Sequence, residues 1–195
     1  MKNSKSKNKW AILALIIGIT FIGSAGAYYI LEYVIEEPID WEVTLIGSNG
    51  EQKVITYNDI RSLPYQDASG GYFTSGGIVY GPYDVRGVLL QDLCDLVGGI
   101  SSDDYVSVTA PDGYSMAFGY EQVCFGGFPA WEPGTMDEVT TETQMILLTY
   151  KWEGKTIAHN DGGPLRLAVV TNETLLTEGH NWVMWVNEIE IKNRD

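Results

Sequence analysis

One long apolar run and a series of short alternating segments organise this chain. Trp10 to Leu31 carries no charge and is mostly Ile, Leu, Ala, Gly and Phe. A run of that length matches what a helix needs to cross a bilayer. Lys2, Lys5, Lys7 and Lys9 precede it without an acid. By the positive-inside rule, residues 1–9 form a cytoplasmic basic tail and 10–31 a transmembrane helix. Residues 32–40 are then a linker, and 41–195 lie outside the cell membrane. Tyr28, Tyr29 and Tyr33 fall where an interfacial aromatic belt belongs. The rival reading is a cleaved signal peptide, because Ala25-Gly26-Ala27 also fits a cleavage site. The run is longer than a usual signal core, which favours the single-pass anchor.

Past the linker the period changes to that of strands. Trp41 to Leu45 alternates apolar and polar residues, and Asn49-Gly50 turns the chain into a second strand at Lys53–Thr56. Asn58 is a cap for a short helix, Asp59 to Leu63, stopped by Pro64. Tyr65 to Pro82 holds five glycines, two serines and a threonine and reads as a long loop. Val88 to Val97 reads as a helix closed by Gly98-Gly99. Tyr105–Ala110 and Tyr114–Phe118 make a hairpin around Pro111-Asp112-Gly113. Phe125 to Thr143 reads as another long loop. Gln144–Tyr150 is an apolar strand, Glu153-Gly154 a turn, and Leu165–Val170 a strand. Asn172–Thr177 reads as a short helix. Trp182–Ile191 closes the chain as a strand with Val183, Trp185, Ile189 and Ile191 on one face. Short strands outnumber helices, so the fold class is α+β with mixed or antiparallel sheets.

Charge narrows the partners. All 26 acidic residues lie beyond the apolar run, with only eight of the basic ones. Such a surface repels nucleic acid and opposes capture of small anions unless a local basic pocket overrides it. Cys94 and Cys124 match no zinc or iron–sulfur spacing. Outside the cell they are free to bridge, while Cys94 also suits a small buried hydrophobe. Asn172-Glu173-Thr174 is an N-glycosylation sequon, usable where the host glycosylates.

Six landmarks then come in a specific order. Leu63-Pro64 ends the first strand-and-helix unit. A glycine-rich stretch leads to Gly87-Val88-Leu89-Leu90-Gln91-Asp92-Leu93. Asp112-Gly113-Tyr114 makes a hairpin, and Met145–Tyr150 runs into Glu153-Gly154-Lys155. Gly162-Gly163-Pro164-Leu165-Arg166-Leu167 follows, and Gly179-His180-Asn181-Trp182-Val183-Met184-Trp185-Val186 closes the series. This order resembles the oxidoreductase molybdopterin-binding domain family of sulfite oxidases and related reductases. The resemblance implies a mixed-sheet sulfite-oxidase-type fold, a molybdopterin cofactor and a redox partner subunit.

The same resemblance exposes departures. Catalytic members hold molybdenum through a cysteine in the loop before the Gly-Val-x-Leu helix, and Tyr65–Pro82 has none. The histidine often found before Gly-Gly-Pro is Asp161, and the lysine of the last strand is Met184. Arg166 is retained and can pair an anion bidentately; bracing the turn is its alternative role. On the first role, Arg166→Ala is expected to leave stability nearly unchanged. The candidate ligand-contacting set is Arg166, Gly162, Gly163, Asp161, His159, Thr74, Ser75 and Gly76. The glycines would let backbone approach a ligand, and Thr74–Gly77 would form an anion-binding nest. A His159–Asp161–Ser75 relay can also be drawn. Tyr72, Tyr80, Trp131 and Trp152 are candidate pocket aromatics or core residues. Three functions follow: a non-catalytic module binding a small anionic or pterin-like ligand, a molybdopterin-dependent oxidoreductase with a non-cysteine metal site, or a surface-anchored interaction subunit. The missing cysteine favours the first and third.

Overall fold

A computed structural model describes residues 39–141 and 144–194. The expected basic tail, membrane helix and most of the linker lie outside the described residues. No helix among the described residues is long and apolar enough to cross a membrane.

The domain opens with β1 (Glu42–Ile46) and β2 (Gln52–Thr56), antiparallel around Asn49-Gly50. Gly50 takes φ +82°, which glycine adopts without strain. α1 (Tyr57–Ser62) begins two residues before the expected start. Thr56 rather than Asn58 is the cap: its hydroxyl accepts from the Asp59 amide at 3.1 Å, and the Asp59 carboxylate accepts from the Thr56 amide at 2.9 Å. That reciprocal pair satisfies two orphan donors at once, which a lone Asn58 cannot do.

The expected loop Tyr65–Pro82 is mostly sheet. β3 (Gln66–Phe73) and β4 (Val79–Leu89) form a long antiparallel pair, with only Thr74–Ile78 as turn. The glycines there reflect close packing rather than loop. A Cβ on Gly71 would sit 2.5 Å from the Tyr80 carbonyl oxygen, and one on Gly87 2.5 Å from that of Leu148. Val88 and Leu89 finish β4, so α2 is shorter than expected, Leu90–Asp95.

β5 (Asp104–Thr109) and β6 (Ser115–Gly119) form the expected hairpin. The unexpected α3 (Tyr120–Phe125) follows. β7 (Ala130–Trp131) and β8 (Glu138–Val139) pair within the second expected loop. β9 (Gln144–Trp152), β10 (Lys155–Thr156) and β11 (Arg166–Thr171) come next. The expected helix at Asn172–Thr177 is instead an exposed turn and β12 (Leu176–Glu178), parallel to β3. Leu176 and Thr177 are buried there; the β-branched threonine and the packed leucine suit a strand. The last strand, β13 (Glu188–Asn193), starts six residues later than expected. Trp185 at φ +52° breaks the extended run before it.

The sheets are mixed, as expected, and the fold is mostly β, since each α-helix has only six residues. One sheet orders β2-β1-β13-β5-β6, with β1 parallel to β13. In the other, β3 pairs β4, β4 pairs β9, β9 pairs β11, and β11 returns to β3 through Thr171 and Ser69. Those four strands close a small barrel. β9 and β11 are buried on both faces and accordingly read as nearly unbroken apolar runs. Ile146, Leu148, Leu167 and Val169 face the main core with Val43, Leu93, Val106 and Ile189. Leu147, Ala168 and Val170 face a second cluster with Tyr72, Val85 and Trp182. By alternation, Arg166 shares the face of Ala168 and Val170.

Candidate functional site

Arg166, the first residue of β11, should cost stability where it lies. It is 2% exposed, and an unpaired buried charge is expensive. Its guanidinium carbon lies 4.7 Å from the ring centre of Tyr72, 4.9 Å from Trp152 and 5.8 Å from Trp182. Nη1 donates to the Asp161 carbonyl at 2.9 Å. Three π faces and one carbonyl hold the cation, with each cation–π contact worth about 0.5–2 kcal/mol. Nε has no partner. Burial pulls the arginine's pKa below its ordinary value, opposed chiefly by Tyr72; guanidinium still stays charged across any working pH.

The cage belongs to a longer aromatic cluster. Trp182 packs on Tyr72 at 5.0 Å and on Trp152 at 6.0 Å. Tyr72 stacks on Tyr80 at 5.0 Å, and Tyr83 on Trp152 at 4.6 Å. The Trp182 indole donates to Thr177 Oγ1 at 2.8 Å, which fixes the ring.

Beside the cage opens a cleft of about 370 Å³, walled by Tyr72 and Phe73 at the end of β3, Thr74 and Ser75 of the turn, Arg166, and the Glu178–His180 segment with Met184. A second, more apolar hollow of about 220 Å³ shares Gly179 and Met184 and adds Tyr114, Trp182 and Trp185. The two hollows adjoin at Gly179 and Met184, and Asp112 places an acidic residue on the wall of the second. His180 lies 3.5 Å from the Glu178 carboxylate on this rim, with about half its side chain exposed.

The expected site residues divide. Arg166, Thr74 and Ser75 share the cleft. Gly76 lies in the same turn but off the walls. That turn uses its polar groups internally: the Gly77 amide donates to the Thr74 carbonyl at 2.8 Å, and the Ile78 amide to the Thr74 hydroxyl at 3.2 Å. Asp161 does not wall the cleft; its carbonyl accepts from Arg166, and its carboxylate charge also favours the protonated arginine. Gly162 takes φ +88°, and a Cβ there would lie 2.6 Å from Met184 Cγ. A Cβ on Gly163 would lie 2.1 Å from the Ile157 carbonyl oxygen. The two glycines therefore admit the chain's own Met184 and Ile157. His159 packs on Trp185 at 5.7 Å, and its carbonyl accepts from the Trp185 indole at 2.8 Å. No hydrogen bond joins His159, Asp161 and Ser75, so the relay is not assembled. Of the candidate aromatics, Tyr72 and Trp152 meet Arg166; Trp131 instead packs edge-on against Phe73. Glu178 was not singled out from sequence, and His180 and Trp182 only as part of the closing Gly179–Val186 landmark, not as ligand-contacting residues. A tryptophan beside a retained arginine was the available signal, masked by the reading of Trp182 as the start of a regular strand.

The thiols lie elsewhere. Cys94 is buried on α2 and Cys124 half-buried on α3, both free, and neither walls the cleft. Burial pushes the Cys94 thiol up to about 12.

A mixed sheet with a small closed barrel, and a cleft beside a buried cation at the start of one barrel strand, defines a mostly-β class of domain. The chain belongs to the oxidoreductase molybdopterin-binding domain family, whose model matches residues 31–195. No curated protein matches it significantly. Among solved structures it is similar to the sulfane dehydrogenase SoxCD from Paracoccus pantotrophus, with a TM-score of 0.59 and 16% sequence identity. That match covers 82% of this chain and 40% of the other, and at such identity it shows the fold alone.

Molybdopterin has an anionic organic part and a metal normally held by a protein thiolate in the catalytic members described above. The donor set here suits them unequally. Arg166, with its orphaned Nε, offers a cation; half-buried Trp185 lines the second hollow, where the almost wholly buried Trp182 contributes only an edge of wall. No thiol lines the cleft, and no cluster of three or more His, Cys, Asp or Glu able to hold a metal occurs among the described residues. The cleft residues do not fit a thiolate-held molybdenum centre.

Proposed function

We propose that this is a membrane-tethered, extracytoplasmic member of its family that binds a small anionic or pterin-like ligand without thiolate-held metal. The observation that carries this reading is Arg166. A buried guanidinium with an unpartnered Nε, three aromatic rings around it and no carboxylate in direct contact with it among the described residues, beside an open cleft, leaves room for an anion; the Asp161 carboxylate acts on it only at a distance. The ligand's anionic group would approach Arg166, and a flat ring would rest against Trp185 and the edge of Trp182 on the far side of Met184. Ser75, on the same wall, supports a second reading as a hydroxyl-ligated metal enzyme. Exposed Ile78, Val79 and Tyr80, at the end of that turn and the start of β4, support a partner subunit docking near the cleft.

The test is elemental analysis of the full chain purified from membranes, together with mass spectrometry of what acid extraction releases. The expected result is an organic anion without molybdenum, and its loss in Arg166→Met. Stoichiometric molybdenum would overturn the metal-free reading. Protease added to intact cells checks the orientation: the domain should be cut and the first ~30 residues, one membrane span, spared.

A further inference from the structure

We propose that Asn172 is an N-glycosylation site and that its glycan overhangs a cleft of about 660 Å³. The proposal rests on the extracytoplasmic orientation above but not on any ligand at Arg166. Asn172-Glu173-Thr174 occupies the turn between β11 and β12, and all three residues are exposed. The turn is held by the backbone of Glu173 with Thr171 and Leu175, not by the Asn172 and Thr174 side chains. The Thr171 hydroxyl donates to the Glu173 carbonyl, the Glu173 amide donates back to the Thr171 hydroxyl at 3.1 Å, and the Leu175 amide donates to the Glu173 carbonyl at 2.8 Å. Among the described residues, neither the Asn172 carboxamide nor the Thr174 hydroxyl has a hydrogen-bond partner. Modification there breaks nothing, and the middle residue, Glu173, is not the proline that would block the sequon.

A second observation concerns where the sugar would lie. Asn172 stands on the wall of a cleft of about 660 Å³ whose other walls include Asp67, Ser69, Asp84, Arg86 and Lys151. Those carboxylates, hydroxyl and cationic groups match the donors and acceptors of sugar hydroxyls. The first sugars would cover sheet surface on β3 and β4. Asp67 there is already paired with Arg86 at 2.7 Å, so the glycan would add to a formed surface.

The chemistry is a transfer from a lipid-phosphate-linked oligosaccharide by a membrane-bound transferase. Asn172 Nδ2 bonds to the anomeric carbon, and the anomeric C–O bond breaks with its electron pair leaving on the lipid phosphate. The amide gives up one proton, and nothing is oxidised or reduced. The Thr174 hydroxyl is needed because the transferase recognises it.

The experiment uses the full chain from its native membranes. Trypsin releases Leu167–Lys192, which holds Asn172 and no other sequon. Mass spectrometry should find this peptide heavier by a glycan on Asn172. Asn172→Gln and Thr174→Ala should both lose that mass and migrate faster on a gel, while Thr174→Ser should keep it. An unmodified peptide from protein whose domain is protease-accessible on intact cells overturns the site alone. A protease-protected domain overturns the orientation and the site together. A glycan that persists in Thr174→Ala overturns sequon-directed transfer.

Discussion

Truncating Arg166 to alanine separates a packed cage from a loosely held ligand contact. The loss begins with the hydrogen bond from a charged donor to the Asp161 carbonyl, about 1.5–3 kcal/mol. The guanidinium contacts on Tyr72, Trp152 and Trp182 go with it. Against this, the variant no longer strips a charge of its water, a cost of several kcal/mol. These polar effects largely cancel, and the void left between three rings dominates. Voids of this kind cost about 2–4 kcal/mol, and a domain of this size loses roughly 2–4 °C per kcal/mol. Arg166→Ala should therefore lower Tm by roughly 5–15 °C, against the unchanged stability expected from sequence. Arg166→Met fills most of the void without a charge and should stay within about 1.5 kcal/mol of the parent. Differential scanning calorimetry and urea melts read both. An alanine variant that melts with the parent, or a methionine variant as unstable as alanine, would refute the cage as a packing unit.

Two further outcomes test neighbouring parts of the fold. Gly162→Ala puts a side chain at φ +88° and against Met184, so it should lose about 1–3 kcal/mol of stability, of which the left-handed backbone accounts for about 1–2; adding Met184→Ala should restore the steric part, and additive losses in a double-mutant cycle would contradict the contact. Native protein treated with iodoacetamide at pH 8 should label half-buried Cys124 before buried Cys94, whose thiol is pushed up to about 12; peptide mass mapping that found Cys94 modified first would contradict its burial.

Elements bounded by turn chemistry or by strict alternation were legible in the sequence. The Asn49-Gly50 hairpin, the Pro111-Asp112-Gly113 hairpin and the apolar strands β9 and β11 lie where their patterns put them. The misread stretches have separate causes. Gly70, Gly71 and Gly81 suggested a loop, yet glycine also serves a strand that another backbone must approach closely. Leu176–Glu178 is too short to show a period, and β3 beside it decides its state. Trp182–Asn187 kept an alternating pattern that Trp185's positive φ overrides. Arg166 was legible as the residue to follow, because a lone arginine opening an apolar strand demands a partner. Its partners were not, since Tyr72, Trp152 and Trp182 come from three separate segments.

The acidic surface and the buried arginine answer different questions. A net charge of −14 over the whole chain opposes anions at a distance, but at physiological salt that field fades beyond roughly 8 Å. Arg166 works inside that distance. Its surroundings are aromatic rather than aqueous, so its charge is screened far less than that of a surface lysine. The same burial makes it costly without a counter-charge, and the cage offsets part of that cost with ring faces that cannot neutralise it. An anion entering the cleft would complete what the rings begin. Selectivity would then come from short-range fit, with Arg166 choosing the anionic group and Trp182, Met184 and Trp185 choosing the shape of the remainder. A solvated basic patch would attract anions from farther away and distinguish them less.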